Sequence, residues 1–267
     1  MIEAGNTYVA LGSSFAAGPG IEPIVDVGAA RSGRNYAHLV AEAMSLKLVD
    51  VTCSGATTDD ILSTRQRTRS GHVPPQIDAV TADARLVTIT CGGNDMGYIG
   101  ALIRGSLLGV LSRILPRGPA DRLLDRVDYG GSVRQCAEVA DSLVAVVDAV
   151  RAKAPQAQVV LVDYLTVLGT DAHPGADLPL RQADIRRGTA TADGLAAAFA
   201  QAAKMSGAGL VVASAAGVSH GVGSAEPWTN GFRLRRLRRS APYHPTPAGM
   251  SAVADLVLTL LRDQRTT

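Results

Sequence analysis

The stretch that decides the fold runs from Tyr8 to Gly18 and reads YVALGSSFAAG. An apolar, β-prone run stops at Gly12, and two serines follow it. A strand that ends in a tight turn can lift a side chain clear of its sheet, where a serine hydroxyl is free to attack a substrate. Gly-Ser-Ser is also ordinary turn chemistry. The stretch therefore indicates either a simple turn or a nucleophilic serine, and the rest of the chain has to decide between them.

Strands and helices alternate along the whole sequence. Apolar runs of strand length occur at residues 7–11, 48–52, 85–91, 159–162 and 210–213. Helical patterns or helix-start and helix-stop residues mark residues 35–46, 75–80, 132–154, 179–206 and 247–261. This alternation predicts an α/β fold with a five-stranded parallel sheet covered on both faces by helices. The turns after the first three strands then meet at one edge of the sheet, where such folds carry their sites.

One segment, residues 97–131, breaks this rhythm. It contains apolar patches with arginines between them, and it includes Pro116 and Pro119. The pattern predicts one or two short amphipathic helices inserted after the third strand. Two roles are open for this insertion: plain packing, or a cap over the site that binds an acyl chain.

Composition limits the classes of function. The chain has 267 residues, of which 46% are hydrophobic, and this is enough for one large domain over residues 1–267. A net charge of +2 gives no general attraction to nucleic acid. No apolar run reaches membrane-spanning length, so we expect no stable membrane insertion. We expect no nucleic-acid partner.

The cysteines and the first residues bear on location. Cys53, Cys91 and Cys136 form neither a disulfide framework nor a metal-binding spacing, so we expect no metal and no organic cofactor. Residues 1–6 lack the basic and apolar regions of a signal peptide. We therefore expect a cytoplasmic protein, although a secreted protein whose leader had been removed would look similar apart from its cysteines.

Residues suited to acyl transfer stand at the ends of the predicted strands. Ser14 can supply the nucleophile, and His244, just before the last helix, can supply the base. The backbone N–H groups of Ser14 and Gly55 and the side-chain amide of Asn94 can supply three donors for an oxyanion. Each residue also has an ordinary structural interpretation, as a turn former or a helix-start residue.

In order and spacing, these motifs resemble the SGNH (GDSL-like) hydrolases over nearly the whole chain. The matching positions are residues 12–14, Gly55, residues 92–95 and residues 241–245. Further likeness, at residues 53–58, 226–228 and 243–245, points to the actinobacterial esterase and lipase branch. The resemblance implies a flavodoxin-like, three-layer α/β/α sandwich and ester hydrolysis through an acyl-enzyme on Ser14. We expect Asp95 to brace the site by hydrogen bonds to neighbouring loops rather than to contact substrate.

Three positions depart from the family pattern. Ser13 replaces an aspartate at a mainly structural position. Ala241 replaces the aspartate that orients the histidine, so the resemblance implies a Ser14–His244 dyad with the main-chain carbonyl of Ala241 as partner, or else a carboxylate from elsewhere such as Glu226. Secreted relatives pair the cysteine at position 53 with one near Ala29 or Ala30, and its absence here favours a reducing compartment.

These observations predict a serine esterase or lipase acting on a small acyl ester that could be anionic or lipid-like. Two alternatives stay open: an acyltransferase that passes a short or medium acyl group to a sugar or other alcohol, and a catalytically weak lipid- or carbohydrate-binding protein of the same fold. The arginine-rich residues 233–239 are either a solvated loop or a region that attracts an anionic substrate.

Overall fold

A computed structural model of the protein describes residues 2–113, 117–233 and 241–264. The strands in chain order are β1 (Thr7–Gly12), β2 (Ile24–Asp26), β3 (Arg31–Ser32), β4 (Lys47–Asp50), β5 (Gln66–Thr68), β6 (Gly71–Val73), β7 (Ala84–Thr90), β8 (Gln158–Val162) and β9 (Gly209–Val211). The helices are α1 (Ser14–Ala17), α2 (Tyr36–Met44), α3 (Thr58–Leu62), α4 (Tyr98–Leu111), α5 (Arg117–Asp125), α6 (Val133–Lys153), α7 (Gln182–Ser206), α8 (Ala213–Ala216) and α9 (Pro247–Asp263), with a 3₁₀ turn at Gln76–Ala79.

The central sheet has five parallel strands in the order β4–β1–β7–β8–β9. β1 and β7 are almost entirely buried, which explains why both read as continuous apolar runs rather than alternating ones. Helix α2 packs with α9, and α6 packs with α7. Helices therefore cover both sides of the sheet, and the predicted three-layer α/β/α fold is confirmed. One continuous apolar cluster extends from Ile2 to Leu261.

Local sequence explains where the long helices begin. Ser132 caps α6 in a capping box, because its hydroxyl accepts from the Gln135 N–H while the Gln135 side chain accepts from the Ser132 N–H. Thr246 caps α9 by accepting from the Gly249 N–H, and Pro247 occupies the first helical position, where no amide hydrogen is needed. The last cap stands two residues after His244, so it fixes where the preceding loop must end.

Two antiparallel hairpins lie in segments without a predicted strand. β2 pairs with β3, and β5 pairs with β6. Their strands are two or three residues long and contain both polar and apolar side chains, so they are too short to show a period in the sequence.

The insertion contains the two helices α4 and α5, as predicted for residues 97–131, of which 114–116 lie outside the described residues. The first half of α4 is buried, whereas Leu107, Leu111 and Leu123 are 40%, 45% and 42% exposed. Gly109 allows close packing, because a Cβ there would lie 1.8 Å from the Pro179 carbonyl oxygen. Among the residues that the structure describes, no helix combines the length and apolar character needed to cross a lipid bilayer.

A buried glutamine fastens the turn that follows β1. The Gly12 N–H donates to Gln76 Oε1 at 2.7 Å, and Gln76 Nε2 donates to the Gly12 carbonyl at 3.0 Å. There is no space for a side chain at position 12, since a Cβ on Gly12 would lie 2.5 Å from the Thr90 carbonyl oxygen. Both halves of the Gln76 amide are thus used to hold one residue of the chain.

We predict that Gln76→Met destabilises the fold by about 1–3 kcal/mol, because the buried Gly12 N–H loses its acceptor while side-chain length is kept. Urea unfolding followed by circular dichroism measures the change. Gln201→Met, on the exposed face of α7, is the matched control and should stay within about 0.5 kcal/mol of wild type. Equal unfolding midpoints for the two variants would contradict a stabilising role for the hydrogen bonds between Gln76 and Gly12.

Candidate active site

Ser14 is held at the carboxyl end of β1 as the first residue of α1. The preceding Ser13 N–H donates to the Thr90 carbonyl of β7 at 2.8 Å, and the Gly18 N–H donates to the Ser14 carbonyl at 3.0 Å. Ser14 is 8% exposed. As the first helical residue, its own N–H has no acceptor within the helix, and among the described residues it has none elsewhere.

His244 is fixed in the loop before α9 by the backbone and side chain of Asn230. The Asn230 N–H and Nδ2 donate to the His244 carbonyl at 2.8 and 3.1 Å, and the Tyr243 N–H donates to the Asn230 carbonyl at 2.8 Å. Tyr243 has a φ of +62° and is buried, and its Oη lies 2.5 Å from the Ser106 Oγ of α4. The insertion therefore reaches the site indirectly, by holding the residue next to His244.

The two candidate residues meet. His244 Nε2 lies 2.8 Å from Ser14 Oγ, and His244 Nδ1 lies 2.8 Å from the Pro242 carbonyl oxygen. A carbonyl can only accept, so Nδ1 carries the hydrogen and Nε2 is left as an acceptor for the Ser14 hydroxyl. This is the tautomer that a general base for Ser14 requires.

The carbonyl that orients the imidazole belongs to Pro242, so the prediction of the Ala241 carbonyl was wrong by one residue. The Ala241 carbonyl accepts from the His244 backbone N–H at 3.4 Å and closes a four-residue turn. Proline in the second position and a positive φ in the third, at Tyr243, are features of a type II turn. The closing carbonyl points along the turn, and the central one, from Pro242, is left to face the ring.

His244 sits in a largely apolar environment. Burial lowers the pKa of its imidazole to about 4, an effect that the Pro242 hydrogen bond opposes. The Phe15 ring lies 5.5 Å from the imidazole. Among the described residues no carboxylate forms an ion pair with His244, and Glu226 is exposed, with its backbone carbonyl bonded to His220. The structure therefore does not contain the alternative arrangement, in which the Glu226 carboxylate orients His244.

The other predicted oxyanion donors lie on the neighbouring strand-end loops. The Gly55 N–H has no acceptor among the described residues, and Gly55 has a φ of +87°, which favours glycine. Asn94 Nδ2 donates to the Ala56 carbonyl at 2.8 Å, which uses one of its two hydrogens and leaves the other available. The loops after β4 and β7 are thus tied together beside Gly55.

Asp95 makes a second tie between these two loops. Its carboxylate accepts from the Thr58 N–H at 3.1 Å and from the Thr58 hydroxyl at 2.5 Å. The contact fixes the beginning of α3 relative to Asn94.

Tyr164 is a site residue that sequence reasoning missed. Its Oη lies 2.9 Å from Ser13 Oγ and accepts from the Gly93 N–H at 3.0 Å, so the loop after β8 joins those after β1 and β7. Its ring packs 4.5 Å from that of Phe15. The signal available was weak: Tyr164 stands two residues after the end of a predicted strand, and a side chain at Gly93 would collide with its ring.

Other predicted features are placed as follows. Arg233 forms a two-pronged ion pair with Asp177, and residues 234–239 lie outside the described residues. Cys53, Cys91 and Cys136 are free thiols, and the Ala29 carbonyl accepts from the Ser54 N–H, so Cys53 does lie beside residue 29. Within the described residues, no group of three or more His, Cys, Asp or Glu side chains could hold a metal ion.

The fold and the Ser14–His244 pair together define a class: hydrolases that carry a hydrogen-bonded serine and histidine at the carboxyl edge of a parallel sheet. Comparison with known proteins gives the family. Residues 10–252 match the model of the GDSL-like lipase/acylhydrolase family.

The chain is 33% identical to Lipase 2 of Streptomyces coelicolor over 95% of its own length and 85% of that protein, and 29% identical to a lipase of Streptomyces rimosus over 91% and 82%. Among solved structures, phospholipase A1 from Streptomyces albidoflavus superposes with a TM-score of 0.75 at 25% identity, covering 97% of this chain and 99% of that one. The chain therefore belongs to the GDSL-like lipase/acylhydrolase family and is a carboxylic-ester hydrolase, as its sequence predicted.

We predict that His244 stays neutral down to a pH near 4, because burial disfavours its charged form. Two-dimensional NMR of the imidazole follows the titration, and the His244→Gln variant identifies the signal by its loss. Since unfolded histidine titrates near pH 6.5, the unfolded chain binds a proton that the folded chain does not, and stability should decrease as the pH falls from about 6.5 toward 4. A titration midpoint at 6.5 or above would contradict this.

Proposed function

We propose that the protein hydrolyses carboxylic esters through an acyl-enzyme on Ser14, with His244 as general base. The observation that supports this most directly is the 2.8 Å contact between Ser14 Oγ and His244 Nε2, with the opposite ring nitrogen held at 2.8 Å by the Pro242 carbonyl. A serine hydroxyl is a weak nucleophile until a neighbouring base takes its proton, and the imidazole has both the position and the tautomer to do so.

In the first half of the reaction, Ser14 Oγ attacks the ester carbonyl carbon as its proton passes to His244 Nε2. The carbonyl oxygen becomes an oxyanion. The intermediate then collapses, the bond to the alcohol oxygen breaks, and His244 returns the proton to the departing alcohol. In the second half, water attacks the acyl-enzyme in the same way and releases the carboxylic acid and free Ser14.

The oxyanion would be bound by the N–H groups of Ser14 and Gly55 and by the side-chain amide of Asn94. The two backbone N–H groups have no competing acceptor among the described residues, and Asn94 has one hydrogen to spare. Donors that are already fixed cost little reorganisation when charge develops. Asp95 and Tyr164 support these donors by tying their loops together.

For the substrate we propose a lipid-like acyl ester. The support comes from relatives that are named lipases and phospholipase A1 and from the leucines that α4 and α5 expose. Attraction of an anionic substrate by residues 233–239 stays a prediction, and Arg233 already has Asp177 as its partner. The cytoplasmic location also stays a prediction.

A fluorophosphonate probe, which reacts with activated serines, tests the nucleophile. Wild type should be labelled, Ser14→Ala should not, and Ser14→Ala should lower kcat for phenyl butyrate by at least about 1000-fold, because no other group can form the acyl-enzyme. Intact-protein mass spectrometry measures the label. Ser70→Ala, in the exposed turn between β5 and β6, is the control that should react like wild type. Labelling of Ser14→Ala at the wild-type rate would contradict the proposal that Ser14 is the nucleophile.

Gly55→Ala tests the oxyanion donor. The added Cβ has room, since its nearest neighbour is Gln66 Nε2 at 3.6 Å, but a φ of +87° is strained for alanine by about 1–2 kcal/mol. The turn should therefore relax and move its N–H, lowering kcat by about 10- to 1000-fold with little change in KM. Gly5→Ala carries similar strain, at a φ of +79°, away from the site. The same loss of kcat in both variants would mean that strain alone, and not the donor, is responsible.

A further inference from the structure

The Gly55 N–H belongs to the central peptide group of a β-turn, and such a peptide has two common orientations. The Ala56 N–H donates to the Cys53 carbonyl at 3.1 Å, so residues 53–56 form a β-turn with Gly55 third, at a φ of +87°. This positive φ is the mark of type II. Types I and II differ by a rotation of about half a turn of the central peptide, here Ser54–Gly55, while the ends of the turn stay in place.

The orientation of this peptide decides what the site presents. In a trans peptide the C=O and N–H point in opposite directions, and the Ser54–Gly55 bond is trans. If the peptide rotated to the type I orientation, the N–H would leave the site and the Ser54 carbonyl oxygen would turn toward it. Glycine permits both signs of φ, so Gly55 by itself does not select type II.

Gln66 holds the opposite end of the same peptide. Its Nε2 donates to the Ser54 carbonyl at 2.9 Å, and the one further donor to that oxygen among the described residues is the weakly donating Cys53 thiol at 3.9 Å. Gln66 is 8% exposed and begins strand β5, so the β5–β6 hairpin carries it to the turn. The hydrogen bond is available only while the Ser54 carbonyl points away from the oxyanion donors.

The way Gln66 is buried indicates more than a packing role. Its Oε1 is buried with no hydrogen-bond partner among the described residues, which is costly for a polar atom. Gln76, the other glutamine that holds a strand-end loop, uses both halves of its amide on Gly12. Among the described residues, the Gln66 side chain thus hydrogen-bonds only through its donor half, and that donor serves the Ser54–Gly55 peptide.

We propose that Gln66 is a positioning residue for ester hydrolysis, which locks the 53–56 turn in the type II orientation and so aims the Gly55 N–H at the oxyanion. The proposal rests on the function proposed above. Because Gln66 donates a hydrogen bond to the Ser54 carbonyl, it also polarises the peptide and makes the Gly55 N–H a stronger donor. Hydrogen bonds in a chain strengthen one another in this way. Gln66 acts through Gly55 and does not itself contact the substrate.

The first test replaces the donor while keeping the length of the side chain. Gln66→Met should lower kcat for phenyl butyrate by about 5- to 50-fold with KM unchanged, because the oxyanion exists in the transition state and not in bound substrate. His72→Ala, at an exposed position paired with Arg67 in the same hairpin, controls for disturbance of β5 and β6 and should keep wild-type kcat. Circular dichroism confirms that each variant is folded under assay conditions.

A pH profile separates positioning from mere packing. In Gln66→Glu an ionised carboxylate cannot donate to the Ser54 carbonyl, whereas the protonated acid can. The ratio of kcat for Gln66→Glu to kcat for wild type should therefore rise as the pH is lowered from 8 to 5, and the corresponding ratio for Gln66→Met should stay level. Taking ratios removes the titration of His244, which is common to all three proteins.

A double-mutant cycle with Gly55→Ala then asks whether both residues act on one donor. We expect the double variant to lose no more kcat than Gly55→Ala alone, because a displaced N–H no longer needs Gln66. A kcat loss under 2-fold for Gln66→Met, multiplicative losses in the cycle, or a level ratio for Gln66→Glu would each overturn the proposal for Gln66. None of these outcomes affects labelling of Ser14, whose failure would instead overturn the proposed function.

Discussion

The hydrogen bond between Ser14 Oγ and His244 Nε2 is the constraint that the rest of the structure satisfies. It spans 2.8 Å between residues 230 positions apart in the chain, so no local structure can create it. The sheet brings the end of β1 to the edge where the loop before α9 arrives, and the packing of α9 on α2 fixes that arrival. Gln76 and the Thr90 carbonyl hold the serine side, while Asn230 holds the histidine side. A shift of about 1 Å on either side would break a contact of this length.

Two type II turns lie in the loops of the candidate site, and the central peptide matters in each. In the turn at 53–56 the central peptide leaves its Gly55 N–H without an acceptor among the described residues and directs its carbonyl to Gln66. In the turn at 241–244 it directs the Pro242 carbonyl to the His244 ring. A carbonyl in place of a carboxylate fixes the tautomer without adding charge. Burial therefore dominates the pKa of His244 and lowers it to about 4, because no anion among the described residues favours the protonated ring.

The sequence allowed the fold to be predicted because β1, β7 and β8 are buried on both faces and read as uninterrupted apolar runs. The strand-end residues likewise pointed to Ser14, which the structure places 2.8 Å from His244, while the oxyanion roles of Gly55 and Asn94 stay predictions. What escaped prediction depends on distant partners. The β5–β6 hairpin has no periodic pattern, Gln66 looks like any polar residue until Ser54 is placed beside it, and Tyr164 meets Ser13 and Gly93 only after folding. The carbonyl that orients His244 was predicted at Ala241 and is that of Pro242, because the Ala241 carbonyl is used in the closing hydrogen bond of the turn.

The third residues of the two turns also explain why the insertion belongs to the site. Both have a positive φ, but one is glycine and the other is Tyr243, for which this conformation costs about 1–2 kcal/mol. Tyr243 is fully buried, its Oη bonds Ser106 of α4, and its ring stacks with that of Phe232. These contacts offset the strain and keep the turn in the form that exposes the Pro242 carbonyl to His244. A glycine would adopt the turn more easily but would have no side chain to anchor it. The tyrosine thus makes the position of the imidazole depend on α4, which gives the insertion a structural role in the site whether or not it also contacts substrate.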